Sequence, residues 1–351
     1  MRRCGPLIAL ALACGKAPAP LVASVRDLGA LTFPTAVRTR DGGYSAQWAG
    51  KSVWVFGDTI LRTPGEDGPS GASWRSSTAG WTPDGLIFDG PRDSKGAPPE
   101  LLPFTDSETK FNADHRGSPC AAGSDCGARF ALWPGPLIPD PDRGRALLFF
   151  AKLVARPGAF NFTGIGASIA TWEAPEKQPQ RGAGLLFEDG KDPPIGAAAL
   201  VDAGQLYAYA CGCANLACPC SLARAALADA LDRSRWTFWD GAAFQADAGR
   251  AARVFDGAPM MSIHFSARLG RWLAVYSTPV GNTIEARTAL RPEGPWSDAQ
   301  VVAQTPAPPE NWNYAGLAHP ELSTEPALLV SYYRPLGGFD GEMRLLELKL
   351  R

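Results

Sequence analysis

The chain has 351 residues, of which 45% are hydrophobic and 20% charged, with 34 basic residues against 35 acidic ones. That length and composition fit one large all-β domain or two ordinary ones, and a net charge of −1 leaves no basic field to hold nucleic acid. Gly (38) and Pro (32) are both abundant and spread along the chain, which favours short strands and many turns over long helices.

The first residues read MRRCGPLIALALACGKAPAP. Arg2 and Arg3 form a charged start and Leu7 to Ala13 a short apolar run. This pattern predicts a secretory signal over residues 1–13, too short to span a bilayer. Ala11-Leu12-Ala13-Cys14 resembles a bacterial lipobox, in which Cys14 is lipidated and becomes the first mature residue. An ordinary signal peptide with an incidental Cys is the alternative. The Pro/Ala-rich residues 14–27 then form a tether and residues 28–351 a single domain. The expected location is the bacterial cell envelope or surface, with the lipid anchor as the one membrane contact.

The stretch DGGYSAQWAGKSVWVFGDT, residues 41 to 59, holds two apolar runs around Ala49-Gly50-Lys51. Paired across that turn, Asp58 lies opposite Gly42 and beside Asp41. Directly opposite residues in such a pair are about 4.5–5.5 Å apart and diagonal ones about 7–8 Å. Two carboxylates therefore share one small space at the open end. The bland alternative is that Asp41-Gly42 is an ordinary turn pair and Asp58 caps a turn. Residues 61 to 128 show little pattern. They are expected to supply outer strands around GWTPDGLIFDG and an inserted loop, in which Cys120 and Cys126 bracket AAGSD as a disulfide.

The opening hairpin recurs. ARFALWPGPLIPDPDRGRALLFFAKL, IGAAALVDAGQLYAYAC, MMSIHFSARLGRWLAVYST and AGLAHPELSTEPALLVSYY each show two apolar runs around a polar or Gly-containing turn. Strand-like segments follow most of them, for about four strands per unit. The spacing predicts an all-β, five-bladed β-propeller, with a β-sandwich plus a second domain as the alternative. Val53-Trp54-Val55-Phe56 is apolar on both faces, as a strand sandwiched between neighbouring blades must be. Residues 343–350, MRLLELKL, are expected to close the ring by pairing into the first blade. Within CGCANLACPC, one hairpin register puts Cys211 opposite Cys220 and Cys213 opposite Cys218. Export favours disulfides there; a four-thiolate zinc site is the rival.

Asp41-Gly42-Gly43-Tyr44-Ser45 and Trp54-Val55-Phe56-Gly57-Asp58-Thr59 resemble the opening motif of a bacterial family of secreted propeller domains. That family long carried an unknown-function label, and some members are described as endo-acting D-arabinan hydrolases. Its domain is similar to the five-bladed furanosidase propellers. Gly164-Ile165-Gly166-Ala167, Leu269-Gly270-Arg271-Trp272, Gly294-Pro295-Trp296-Ser297 and His319-Pro320-Glu321-Leu322 extend the resemblance over most of residues 28 to 350. One departure stands out. An acidic residue is expected before the Ser of the fourth inner strand, where this chain has Met261-Ser262.

In a propeller the innermost strands begin on the ligand face. This places Asp41 and Asp58 at the mouth as the expected catalytic pair. The same logic gives Asp256 and Asn313 before inner strands and Arg334 after a second strand as substrate contacts, with Lys152 as a further charge of that kind. His264 and His319, inside inner strands, are expected as contacts lining the central channel, a structural role being the alternative for His319. Glu321 is expected to be structural. Glycoside hydrolysis needs two carboxylates and no redox cofactor. Crowding two acids raises one pKa and so supplies the acid form. The expected protein is a monomeric glycosidase for a furanose-containing polysaccharide or oligosaccharide, with no cofactor, no metal and no nucleic-acid partner. A non-catalytic glycan-binding propeller, which Met261 favours, and a protein-interaction scaffold are the alternatives.

Overall fold

A computed structural model describes residues 19–158, 160–214 and 217–351. It is a five-bladed β-propeller, each blade an antiparallel sheet. Blade one pairs Val37–Trp48 with Lys51–Leu61, which in turn carries the short strands Trp74–Arg75 and Thr78–Thr82. Blade two runs Arg129–Asp140, Arg145–Ala155, Phe162–Trp172 and Phe187–Glu188. Blade three starts at Ile195–Asp202 and blade four at Met261–Ser266. Blade five runs outward through Tyr314–Ala318, Ala327–Gly337, Asp340–Leu350 and Val22–Ala30.

The ring closes in a way that differs from expectation. Asp340–Leu350, which contains MRLLELKL, does not pair into blade one; it lies between Ala327–Gly337 and Val22–Ala30. The N-terminal strand is thus the fourth strand of the last blade and takes residues 22–27 out of the expected tether. Most of that strand is exposed, so it lacks the apolar signature that marks the inner strands. Residues 1–18, with Cys14, lie outside the described residues.

Blade packing follows from strand periodicity. Successive side chains point to opposite faces. Val53 and Val55 therefore join Leu132, Leu148 and Phe150 of blade two, while Trp54 and Phe56 join Tyr333, Met343 and Leu345 of blade five. All four residues from Val53 to Phe56 are 0% exposed. Each such side chain contributes about 1.5–3 kcal/mol on burial. The same alternation in blade two sends Leu147 and Phe149 toward blade three.

Among the described residues three disulfides form: Cys120–Cys126, Cys211–Cys220 and Cys213–Cys218. Cys211 and Cys220 are direct cross-strand partners, so all four sulfurs of the CGCANLACPC hairpin are bonded pairwise rather than free to hold zinc. The disulfides mark an exported protein. Among the described residues no helix is long and apolar enough to cross a membrane.

The expected loop between blades one and two also contains a helix, Asp106–Asp114. Thr105 caps it, and Glu108 returns the hydrogen bond to the Thr105 N–H, completing a capping box. The helix buries Glu108 and Asn112 and no apolar stripe, which is why hydrophobic periodicity does not reveal it.

Candidate active site

The open end of the first hairpin is shaped by its glycines. Register shifts fall between Arg40 and Gly42 and between Gly42 and Tyr44. Gly42 and Gly43 there take φ of +86° and +104°, values glycine adopts without steric cost. Gly57 faces the bulge, where an added Cβ would come within 2.6 Å of Asp41 Oδ1. The glycines of DGG and FGD therefore make room for the Asp41 carboxyl against the second strand.

Asp41 and Asp58 meet there. Tyr314 Oη donates to Asp41 Oδ2 at 3.0 Å. Burial, reinforced by the Asp58 charge and only partly offset by the Tyr314 hydrogen bond, pushes Asp41 up to about 7. Asp58 sits in different surroundings. Its Oδ1 accepts from Trp74 Nε1 at 2.9 Å, Trp133 Nε1 at 3.2 Å and Arg129 at 3.2 Å. Its Oδ2 accepts from Arg129 alone, at 3.1 Å, so one acceptor position of that oxygen stays open. The Arg129 guanidinium also stacks over Trp74 at 4.5 Å.

Asp41, with Gly42 and Gly57 of blade one and residues of the other four blades, lines a cleft of about 610 Å³; Asp58 is not part of its lining. Trp133, Phe150, Phe160, Phe162, Trp312 and Tyr314 give it broad aromatic surface. Glu188, Asp189 and Asp192 line it where blade two leads into blade three. Glu188 is bound by Lys191 and Asp192 by Arg233. Among the described residues no cluster of three or more His, Cys, Asp or Glu is arranged to hold a metal ion.

Of the expected substrate contacts, Asn313 alone lies in the cleft wall. Its amide is buried and donates to Thr305 Oγ1 and the Pro306 carbonyl, so it holds the loop rather than reaching outward. His319 is fully buried between blades, stacked on Trp54 at 3.8 Å and bonded to Ser45 at 2.6 Å and Ser331 at 2.8 Å. Burial pushes it down to about 3, a neutral packing histidine remote from solvent. His264 lines a separate, narrow central channel of about 80 Å³, and burial lowers it to about 4. Asp256 is paired with Arg253, and Arg334 with Glu342 and the Ala307 carbonyl; neither lines the cleft. Lys152 does line it, but its ammonium is paired with Glu108 at 2.7 Å. Glu321 accepts from Ser45 and Ser52.

Met261 is 0% exposed and packs among Cys211, Cys220 and Tyr276. The side chain at the cleft is that of its neighbour Met260, so an acid at position 261 would be buried in an apolar cluster. Sequence reasoning missed Tyr314, Arg129 and Trp133. Tyr314 and Arg129 are the first residues of inner strands, the same topological position as the expected contacts, and that was the available signal.

Fold and site together define a class: five-bladed propellers with a carboxylate pair beside an aromatic cleft. Solved structures of similar fold include a protein from Bacteroides ovatus, 15% identical over 92% of this chain and 87% of its own, with a TM-score of 0.59. A family 117 glycoside hydrolase from the marine bacterium Zobellia galactanivorans is 12% identical over 94% and 91%, with a TM-score of 0.54. A GH43_1 enzyme from Xanthomonas citri is 14% identical over 91% and 89%, with a TM-score of 0.52; that enzyme has also been solved with xylotriose bound. At these identities the likeness is one of fold. The chain itself belongs to the family described as Domain of unknown function (DUF4185), whose model matches residues 156–335. No curated protein matches the sequence.

Proposed function

We propose that this protein is a surface-anchored glycoside hydrolase acting on a furanose-containing, arabinan-like polysaccharide through Asp41 and Asp58. The observation that carries the reading is the contrast within the pair. Asp41 holds its proton to about pH 7, while Asp58 is ion-paired with Arg129 and keeps one acceptor position open on Oδ2. Asp41 then protonates the leaving glycosidic oxygen, and Asp58 Oδ2 takes a proton from the attacking water. The aromatic cleft supplies apolar faces for sugar rings. The DGGYS and WVFGDT stretches resemble the opening motif of a family some of whose members are described as D-arabinan hydrolases, and that resemblance supports the substrate class.

Hydrolysis of an arabinan panel, with binding measured alongside, tests this reading. Turnover is expected, with kcat/KM falling as pH rises through about 7, because Asp41 must be protonated. The Tyr314 hydrogen bond lowers the Asp41 pKa, so Tyr314→Phe should move that alkaline limb to higher pH. Saturable binding without turnover would replace the hydrolase with a glycan-binding propeller.

Anchoring is proposed through Cys14. Mass spectrometry of the native N-terminus is expected to find a lipidated Cys14 as the first residue. An unmodified chain starting elsewhere would remove the anchor.

A further inference from the structure

The hairpin between Ala327–Gly337 and Asp340–Leu350 of blade five turns through two residues, Gly338 and Phe339, with Gly337 paired to Asp340. Gly338 takes φ of +58° at the first position, as a tight two-residue hairpin turn favours. Turn tips ordinarily go to Gly, Pro, Asn, Asp or Ser. Here the second position holds a phenylalanine that stays 60% exposed, so burial does not account for it.

The ring is nevertheless held in place. Phe339 meets Trp74 of blade one edge-on, with centroids 5.4 Å apart and planes at 86°. Asp340, the next residue, is ion-paired with Arg38 of blade one. The Gly338 N–H reaches Glu310 Oε2 at 3.4 Å, on the loop that leads into Tyr314–Ala318. Trp74 in turn connects this tip to the carboxylate pair. Asp58 Oδ1 accepts from two indoles, Trp74 at 2.9 Å and Trp133 at 3.2 Å. Trp133 lines the cleft, whereas Trp74 and Phe339 do not. Asp58 therefore joins two aromatic surfaces, the cleft through Trp133 and a separate one through Trp74. The Arg129 guanidinium covers Trp74 at 4.5 Å, which leaves Phe339 as the open ring of the second surface.

We propose that Phe339, backed by Trp74, is a sugar-binding platform outside the cleft, which takes the units of a glycan chain that extend past Asp58. Two features fit a sugar. A flat apolar ring matches the C–H face of a furanose. Beside it, Arg38 and Asp340, with side chains 51% and 41% exposed, supply donors and acceptors for hydroxyl groups. This rests on the glycan reading above and adds where the chain leaves the pair. Contacts to units remote from the scissile bond contribute binding energy, so the platform selects for chain length.

The test uses linear arabinan oligosaccharides of increasing length and the polymer. With wild type, kcat/KM should rise with length once the chain reaches Phe339. Phe339→Ala should remove that gain, raising KM on the polymer several-fold while leaving the shortest hydrolysed oligosaccharide unaffected. Phe339→Tyr keeps the flat face and should keep the gain. Phe265→Ala is the matched control, because Phe265 is 53% exposed and edge-on to Trp272 in blade four, outside the cleft lining; its loss should change neither. Calorimetric titration of Asp41→Asn, with and without Phe339→Ala, reads the same length dependence in binding alone, with melting temperatures recorded for every variant. If Phe339→Ala leaves turnover and binding unchanged at every length, the platform is overturned, and wild-type turnover keeps the hydrolase standing. Length-dependent binding that is lost with Phe339→Ala, in the absence of wild-type turnover, would remove the hydrolase and leave the platform. No binding of any arabinan would remove both.

Discussion

Asp41→Asn is expected to cut arabinan turnover about 10²–10⁴-fold and yet to raise the melting temperature at pH 8. Asp41 is pushed up from its ordinary 3.8 to about 7. The folded protein therefore holds this proton more tightly than the unfolded chain does. Below 3.8 both states are protonated and the group is neutral for stability. As pH rises toward 7 the unfolded chain ionises freely while the folded one resists, so stability falls. Above 7 the full penalty is present, at most about 4 kcal/mol. Asn removes the charge and can still accept from Tyr314. Asp58→Asn should lose turnover to a similar degree but lower the melting temperature, because Arg129 loses its ionic partner. Opposite signs of the stability change are the signature of a tuned acid pair; two incidental turn caps would both be near neutral. Measurement of kcat/KM and melting temperature at pH 5 and pH 8 decides it. If wild type is active and both variants keep most of that activity, the pair is structural.

Legibility in the sequence followed how local each signal is. The first hairpin was readable because its turn, its alternation and both Asp residues lie within twenty positions, and register arithmetic brings Asp41 beside Asp58. The disulfide ladder was readable for the same reason. The site around the pair was not. Tyr314, Arg129 and Trp133 reach Asp41 and Asp58 from blades five and two, hundreds of residues or many turns away, and nothing in their local pattern announces a partner. His319 was expected to line the central channel or to be a satisfied structural histidine; its ring lies between blades against Trp54, as the second of these requires. The N-terminal strand was taken for tether because an outermost strand buries little and carries no apolar alternation.

The insertion between blades one and two yields the largest expected loss of stability. Glu108 Oε1 accepts from Lys152 at 2.7 Å and from Arg181 at 3.1 Å, and Oε2 from Arg181 at 2.8 Å and the Thr105 N–H at 2.9 Å. The side chain is 3% exposed and Arg181 10% exposed. One carboxylate thus caps its own helix, anchors the insertion to blade two and holds Lys152 at the cleft floor. Burial works against its charge, but the hydrogen bonds from Arg181, Lys152 and Thr105 outweigh that and hold it down at about 2, below its ordinary 4.5. Glu108→Gln leaves two sheltered cations without a counter-charge, which typically costs about 3–5 kcal/mol. A loss of that size corresponds to a fall of roughly 5–15 °C in melting temperature for a chain somewhat larger than most surveyed domains. The pH dependence has a definite sign. Because the folded value is depressed, the stabilisation is fully present above about 4.5 and is lost as pH falls toward 2. Denaturant unfolding of wild type and Glu108→Gln at pH 7 and at pH 3 should therefore show a wide gap that narrows in acid. A gap that is absent at pH 7, or unchanged at pH 3, would mean that Glu108 does not hold the insertion by its charge.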